Sequence, residues 1–254
     1  MKIVACYKLV PDDTQISFRG NGSPDLSACE WQIGQYDLCA VEAAAQLSEK
    51  NEGVELVALT AGGEMVENSK LRKSILSRGP QEMLAVKDEK LAEADSYGVA
   101  QALSSAIREM GDVSLAVFGE GSGDVYAQQV GNITGALLGW NTVNAVSKIE
   151  LDGDALIVER SLEDCVETLR VPLPAAVSVT SDICLPRLAT MKEILKAGKK
   201  PCTVKGLEEF CPQFANGVET VSLKAKDRAH RDCCIVAADE EGIAQLAAQI
   251  RKKL

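Results

Sequence analysis

Histidine is nearly absent: His230 is the only one in 254 residues, and it sits in the polar run KAKDRAHRDCC. A Ser-His or Cys-His nucleophile would have to use it as its base, which weighs against hydrolytic chemistry of the triad kind. Aromatic residues supply only 4% of the chain, too few for the stacking platforms that hold single-stranded nucleic acid. Positive charge is also short, with 27 Lys and Arg against 37 Asp and Glu and a net charge of -10. Such an acidic field argues against nucleic acid and anionic membrane as partners. No apolar run approaches the roughly 18 to 20 residues of a membrane span. The opening MKIVACYKLVPDD lacks the length and flanks of a signal peptide, so the expected location is the cytoplasm, with no stable membrane insertion. Nine cysteines are present, at 6, 29, 39, 165, 184, 202, 211, 233 and 234, yet they make no C-x-x-C and no cluster with histidine. That spacing speaks for reduced thiols over a zinc site or a disulfide framework, and no catalytic or metal-binding residue is expected.

What is present is an alternation. Lys2–Tyr7 (KIVACY), Val54–Thr60 (VELVALT), Met83–Lys87 (MLAVK) and Val113–Gly119 (VSLAVFG) read as short strands. Between them Leu38, Val41 and Ala45 recur at helical spacing, and a helix is expected from about Glu64 to Ser77, stopped by Gly79-Pro80. Val99, Leu103, Ile107 and Met110 mark a third helix, closed by Gly111. Strand and helix in this order predict an α/β fold, a parallel sheet flanked by helices.

The fourth strand runs into GEGSGDVYAQQVGNITGALLGW, Gly119 to Trp140. Val130, Ile133, Thr134, Leu137 and Leu138 fall on one helical stripe expected to face the core. Ala127, Gly131 and Gly135 form a second stripe whose small side chains admit another backbone or a ligand. Open α/β sheets bind ligands beyond the carboxyl ends of their strands, where helix N-termini meet anions. Three strand ends here allow close approach: Cys6-Tyr7-Lys8, Ala61-Gly62-Gly63 and Gly119 to Asp124. The ligand class is narrowed by missing motifs. There is no G-x-G-x-x-G, since Asp124 stands where the third glycine belongs, and no G-x-x-x-x-G-K-[ST].

After Trp140 the pattern changes. Val158–Arg160 and Val166–Arg170 read as the arms of an antiparallel hairpin around an acidic turn, and Pro172 and Pro174 lead to another apolar strand. DICLPRLATMKEILKAGKKP follows, an irregular loop and a short basic helix. DEEGIAQLAAQIRKKL reads as a terminal helix with acids at its start and cations at its end, as the dipole favours.

Val10-Pro11-Asp12, the spacing of Asp124, Gln129 and Gly131, the hairpin VERSLEDCVETLRVPLPA and the run PRLATMKEILKAGKKP together resemble the beta subunit of electron transfer flavoprotein, in the branch that includes FixA-type proteins. The resemblance covers about residues 1 to 202 and is most specific in the last two blocks. It implies a Rossmann-like, adenine-nucleotide-binding type of α/β fold with an added antiparallel hairpin. It also implies a heterodimer with an alpha subunit that carries most of the contacts to FAD, and AMP or a second FAD held by the beta subunit. The nucleotide contacts it implies fall on Cys6, on Gly34, Gln35, Tyr36 and Asp37, on Ala61, and on Asp124, Val125, Tyr126, Ala127, Gln128, Gln129, Val130, Gly131, Asn132, Ile133 and Thr134. The 182–190 loop is similar to a loop that docks dehydrogenases, with Ile183 as its exposed anchor beside Pro186 and Arg187. Residues 203–254 would be an extended arm and helix lying on the alpha subunit. A stand-alone adenine-nucleotide sensor is the alternative; it would need neither the hairpin nor the basic run.

Overall fold

The computed structural model describes residues 1–226 and 233–252, so His230 lies outside the described residues. Met1–Ser17 with Asp25–Ser222 form one compact unit, and Phe18–Pro24 with Leu223–Leu254 form a second. The chain begins with β1 (Lys2–Cys6), β2 (Leu9–Pro11), β3 (Ser17–Phe18), β4 (Pro24–Asp25), β5 (Trp31–Ile33) and α1 (Gln35–Lys50). It continues through β6 (Glu55–Gly62), α2 (Ser69–Leu76), β7 (Glu82–Lys87), α3 (Ser96–Met110), β8 (Val113–Gly119) and α4 (Val130–Leu138). Then follow β9 (Asn141–Asp152), β10 (Ala155–Ser161), β11 (Val166–Pro172), β12 (Ala175–Val179), α5 (Met191–Ala197), β13 (Cys202–Gly206), α6 (Leu207–Phe210) and α7 (Glu240–Arg251).

Nine strands make one sheet in the order β11-β10-β9-β12-β8-β1-β6-β7-β13. From β9 to β13 neighbouring strands are parallel, and the β10–β11 hairpin continues the sheet antiparallel to β9. Alternation along β1 divides the core: Ile3, Ala5 and Tyr7 join the cluster under α1, α2 and α5, while Val4 and Cys6 join the one under α3, α4 and α6. Ile3, Leu59 and Leu115 are wholly buried, each contributing about 1.5–3 kcal/mol of transfer free energy. The α/β architecture and the hairpin are as the alternation predicts.

Three departures have local causes. The expected helix from Glu64 divides into a 3-10 turn, Glu64–Glu67, and α2, because the Asn68 side chain accepts the N–H groups of Lys70 and Leu71 and starts a new helix. β9 is not among the strands expected from periodicity. Its buried Val143 and Val146 lie three apart, and a left-handed Ala145 (φ 55), with register shifts in both neighbouring ladders, makes a bulge that brings them to one side. β13 is also unexpected; it crosses position 202, so the sheet-bearing unit extends to Ser222.

In the second unit the Ala225 N–H donates to the Gly22 carbonyl at 2.8 Å. There α7 is capped by Asp239, opens with Glu240 and Glu241, ends with Arg251, and leaves Ile243, Leu246 and Ile250 exposed. Among the described residues no helix is long and apolar enough to cross a membrane.

Candidate functional site

β8, β1 and β6 are adjacent and parallel, so their carboxyl ends share one edge of the sheet. The Gly34 N–H donates to the Lys8 carbonyl at 2.9 Å, which sets the first turn of α1 against the end of β1. Three residues on, the buried Asp37 carboxylate accepts the Lys8 N–H at 2.7 Å and the Gly119 N–H. One side chain thus joins α1 to the ends of two strands. Burial pushes its pKa up to about 7, although the two N–H groups and the Lys8 charge pull it down. Gly119 is required there, because a Cβ would lie 2.7 Å from Asp37 Oδ1 and 2.8 Å from the Tyr36 backbone.

From Gly119 the chain runs through an exposed loop to α4. Lys8 Nζ meets Asp124 Oδ2 at 2.6 Å, and Asp124 Oδ1 accepts the Val125 N–H at 2.8 Å. Burial raises the Asp124 carboxyl, but Lys8 outweighs it and holds the group below its ordinary value. Tyr126 and Gln128 both adopt left-handed backbone, φ 50 and 57, and the Tyr126 ring packs on Tyr36. Conformations of this kind cost roughly 1–3 kcal/mol each and gather at ligand clamps.

Both helices of this edge start bare. Gly34 at α1 and Gln129 at α4 provide no capping side chain, whereas Asn68, Asp95 and Thr190 cap α2, α3 and α5. The free N–H groups and the positive dipole end of each bare helix favour an anion by about 0.3–2 kcal/mol. A cavity of about 330 Å³ lined by Lys2, Glu82, Glu109 and Lys205 lies elsewhere, towards the amino ends of β1 and β7.

Residues 27–209 match the family model described as electron transfer flavoprotein domain. The chain belongs to that family. Electron transfer flavoproteins bind flavin, carry electrons rather than catalyse bond chemistry, and work as heterodimers that meet dehydrogenases. The edge of β8, β1 and β6 suits the phosphate of such a cofactor, with its two uncapped helix starts; the glycines at 34 and 119 make room for Asp37 and Tyr36 of α1.

The residues singled out in this flavoprotein chain fall into three groups. Gly34, Tyr36, Asp37, Asp124 and Tyr126 are brought together by the contacts above, with Gln35 exposed at the first position of α1. Cys6 is buried at the end of β1, its thiol pushed up by burial and then by Asp37, and Ala61 is half-buried at the end of β6; no hydrogen bond joins either side chain to that cluster. Val125, Ala127, Gln128 and Gln129 are exposed loop residues, and Val130, Gly131, Asn132, Ile133 and Thr134 begin α4.

The expected faces of α4 need correcting. Ala127 stands outside the helix, which starts at Val130. Thr134 of the first stripe is buried, and Val130 and Leu138 pack on the core as expected, but the other deeply buried positions are Gly131 and Gly135 of the small stripe. A Cβ on Gly131 would lie 2.3 Å from Ser178 Oγ, and one on Gly135 would lie 2.3 Å from Thr142 Cγ2. The small stripe therefore lets the helix lie close on the sheet. Thr134 Oγ1 is enclosed there without a hydrogen-bond partner.

The 182–190 loop also differs in detail from expectation. Ile183 is half-buried and packs on the core, while Leu185 and Leu188 are 90% and 89% exposed. Arg187 turns back onto its own domain, pairing with Glu42 at 2.6 Å and with Glu49 on α1. Pro186 beside it is half-buried. Lys8 is the site residue that sequence reasoning did not assign: it ends the triplet Cys6-Tyr7-Lys8, but nothing in spacing couples it to Asp124 across 116 positions.

Proposed function

We propose that this chain is the beta-type subunit, of the FixA-type branch, of a heterodimeric electron transfer flavoprotein. It shuttles electrons from a dehydrogenase to an acceptor such as a quinone oxidoreductase through FAD held with an alpha subunit. Bound flavin supplies the reversible electron storage, and this chain supplies no bond chemistry of its own. At the β8-β1-β6 edge the chain holds AMP or a second FAD, with the phosphate at the bare starts of α1 and α4. Cys6, Gly34 to Asp37, Ala61 and Asp124 to Thr134 surround it. The observation that carries this reading is that, apart from the one-turn α6, the helices without an N-cap side chain are α1 and α4, which both begin at this edge, in a chain of this family. The 182–190 loop docks the dehydrogenase, with Leu185 and Leu188 as its exposed apolar contacts. The polypeptide beyond Ser222, with the apolar side of α7, packs on the alpha subunit.

Co-expression with an adjacent alpha-subunit gene tests the proposal. The expected result is a co-purifying pair with flavin absorbance and an adenine nucleotide or second FAD in the denatured extract. Failure to associate, or association without flavin absorbance, sinks it and leaves the stand-alone nucleotide sensor.

A further inference from the structure

We propose that Tyr36 and Tyr126 form a base-recognition platform, on which the planar ring of a nucleotide stacks; this rests on the nucleotide reading given above. Aromatic residues are scarce in the chain, yet two of its four tyrosines meet at this edge. Their ring centroids are 5.2 Å apart with the planes tilted by 47°, within the range of favourable aromatic pairs.

Several features hold Tyr126 in this position. Its backbone is left-handed, φ 50, which a bulky side chain adopts only when the surroundings dictate it. Gly121 leaves room for the ring: a Cβ there would lie 2.4 Å from Tyr126 Cδ2. The Tyr126 N–H donates to Ser122 Oγ at 3.3 Å, and its hydroxyl is hydrogen-bonded with Glu120 and Tyr36. Tyr36 is fixed in turn, since it occupies the first turn of α1 and its backbone crowds Gly119. Tyr36 is half-buried and Tyr126 is 42% exposed, so the pair reaches solvent through the Tyr126 side chain.

A preset ring of this kind is what a planar ligand uses. The phosphate sites at the bare starts of α1 and α4 lie on either side of the pair in sequence, Tyr36 two residues after Gly34 and Tyr126 three before Gln129. Stacking is tolerant of base identity, so the platform suits the purine of an adenine nucleotide or the isoalloxazine of a flavin.

The test uses the full chain and equilibrium binding of AMP and of FAD to the wild type and to Tyr126→Ala, Tyr126→Leu and Tyr126→Phe. Alanine and leucine are expected to weaken the bound ligand about tenfold, the low end of base–aromatic stacking, while phenylalanine stays within about twofold of wild type. Tyr36→Leu, which removes only the backing ring, is expected to weaken it about threefold. Whichever of AMP and FAD responds identifies the ring that stacks. If leucine and phenylalanine bind alike, or alanine equals the wild type, Tyr126 acts through bulk or through a protein contact and the platform is wrong. If the wild type binds neither ligand, the nucleotide reading fails together with the platform.

Discussion

β8 and β12 lie side by side and parallel, and the loops that leave their carboxyl ends behave in opposite ways. The loop after β12 turns its polar groups onto the fold. Arg187 pairs with Glu42 and Glu49, its carbonyl accepts an N–H from Arg78, the Cys39 thiol donates to the Ser181 carbonyl, and a complete capping box starts α5 at Thr190. The loop after β8 has one exposed ion pair, two left-handed residues and an uncapped helix. A loop whose donors are satisfied internally can present only its apolar tips, Leu185 and Leu188. A loop whose donors are left over can receive an anion.

Breaking the pinned loop should give the largest effect. Glu42 is 7% exposed at its side chain, and Arg187→Leu would leave that carboxylate buried without its partner. Removing one member of a buried pair costs about 3–5 kcal/mol, and the partial exposure of Arg187 places this case near about 3. Thermal unfolding should move down by roughly 6–12 °C for a unit of this size, and adding Glu42→Gln should recover most of it. A shift under about 2 °C would show that the pair does not hold the loop.

The contrast between the loops was only partly legible in the sequence. The strands that alternate or run apolar without interruption, β1, β6, β7 and β8, stand out, as does the β10–β11 hairpin, whose arms carry the period of two. β9 does not, because the bulge at Ala145 shifts its buried positions out of that period. β13 is an edge strand with a single partner, and its CTVKG breaks any apolar run with Thr203, Lys205 and Gly206. The strand-end glycines and Asp124 could be found as a cluster because each lies just past a recognisable strand. The partners of Arg187 lie up to 145 positions away, so its inward turn could not be found, and with it the exchange of Ile183 for Leu185 and Leu188 at the surface. Nor does periodicity show that Gly131 and Gly135 face the sheet, since which stripe of α4 is buried depends on how closely the helix approaches β12 and β9.

A smaller, pH-dependent effect tests the base of the open loop. Asp37 is raised from an ordinary 3.8 to about 7 by burial, so between those values the folded chain binds a proton that the unfolded chain has released. Stability from this group is therefore greatest at low pH and falls as pH rises through that window, with a slope of at most about 1.4 kcal/mol per pH unit. Asp37→Asn removes the titration. Urea midpoints of wild type and variant, measured from pH 5 to 8, should diverge in slope below pH 7 and run parallel above it. Parallel lines over the whole range would mean that Asp37 is ionised as readily in the folded chain as in the unfolded one.

The smallest effect on stability is expected at the open loop itself. Lys8–Asp124 resembles Arg187–Glu42 in charge and in distance, but its side chains are 46% and 26% exposed. Exposed pairs contribute about 0–1 kcal/mol, so Asp124→Ala should leave the unfolding temperature nearly unchanged. Ligand binding should still respond, and two effects oppose each other there. The substitution frees the Lys8 ammonium for a phosphate, and it also removes the carboxylate that accepts the Val125 N–H and sets the turn leading to Tyr126. Ordering a loop of several residues outweighs one exposed charge, because fixing each residue's backbone costs about 1–2 kcal/mol that a preformed turn has already met. Nucleotide recovered from the denatured variant should therefore fall. A rise would mean that Lys8 acts mainly as an anion site and that the loop after β8 needs no preset shape, which would remove the distinction between the two loops.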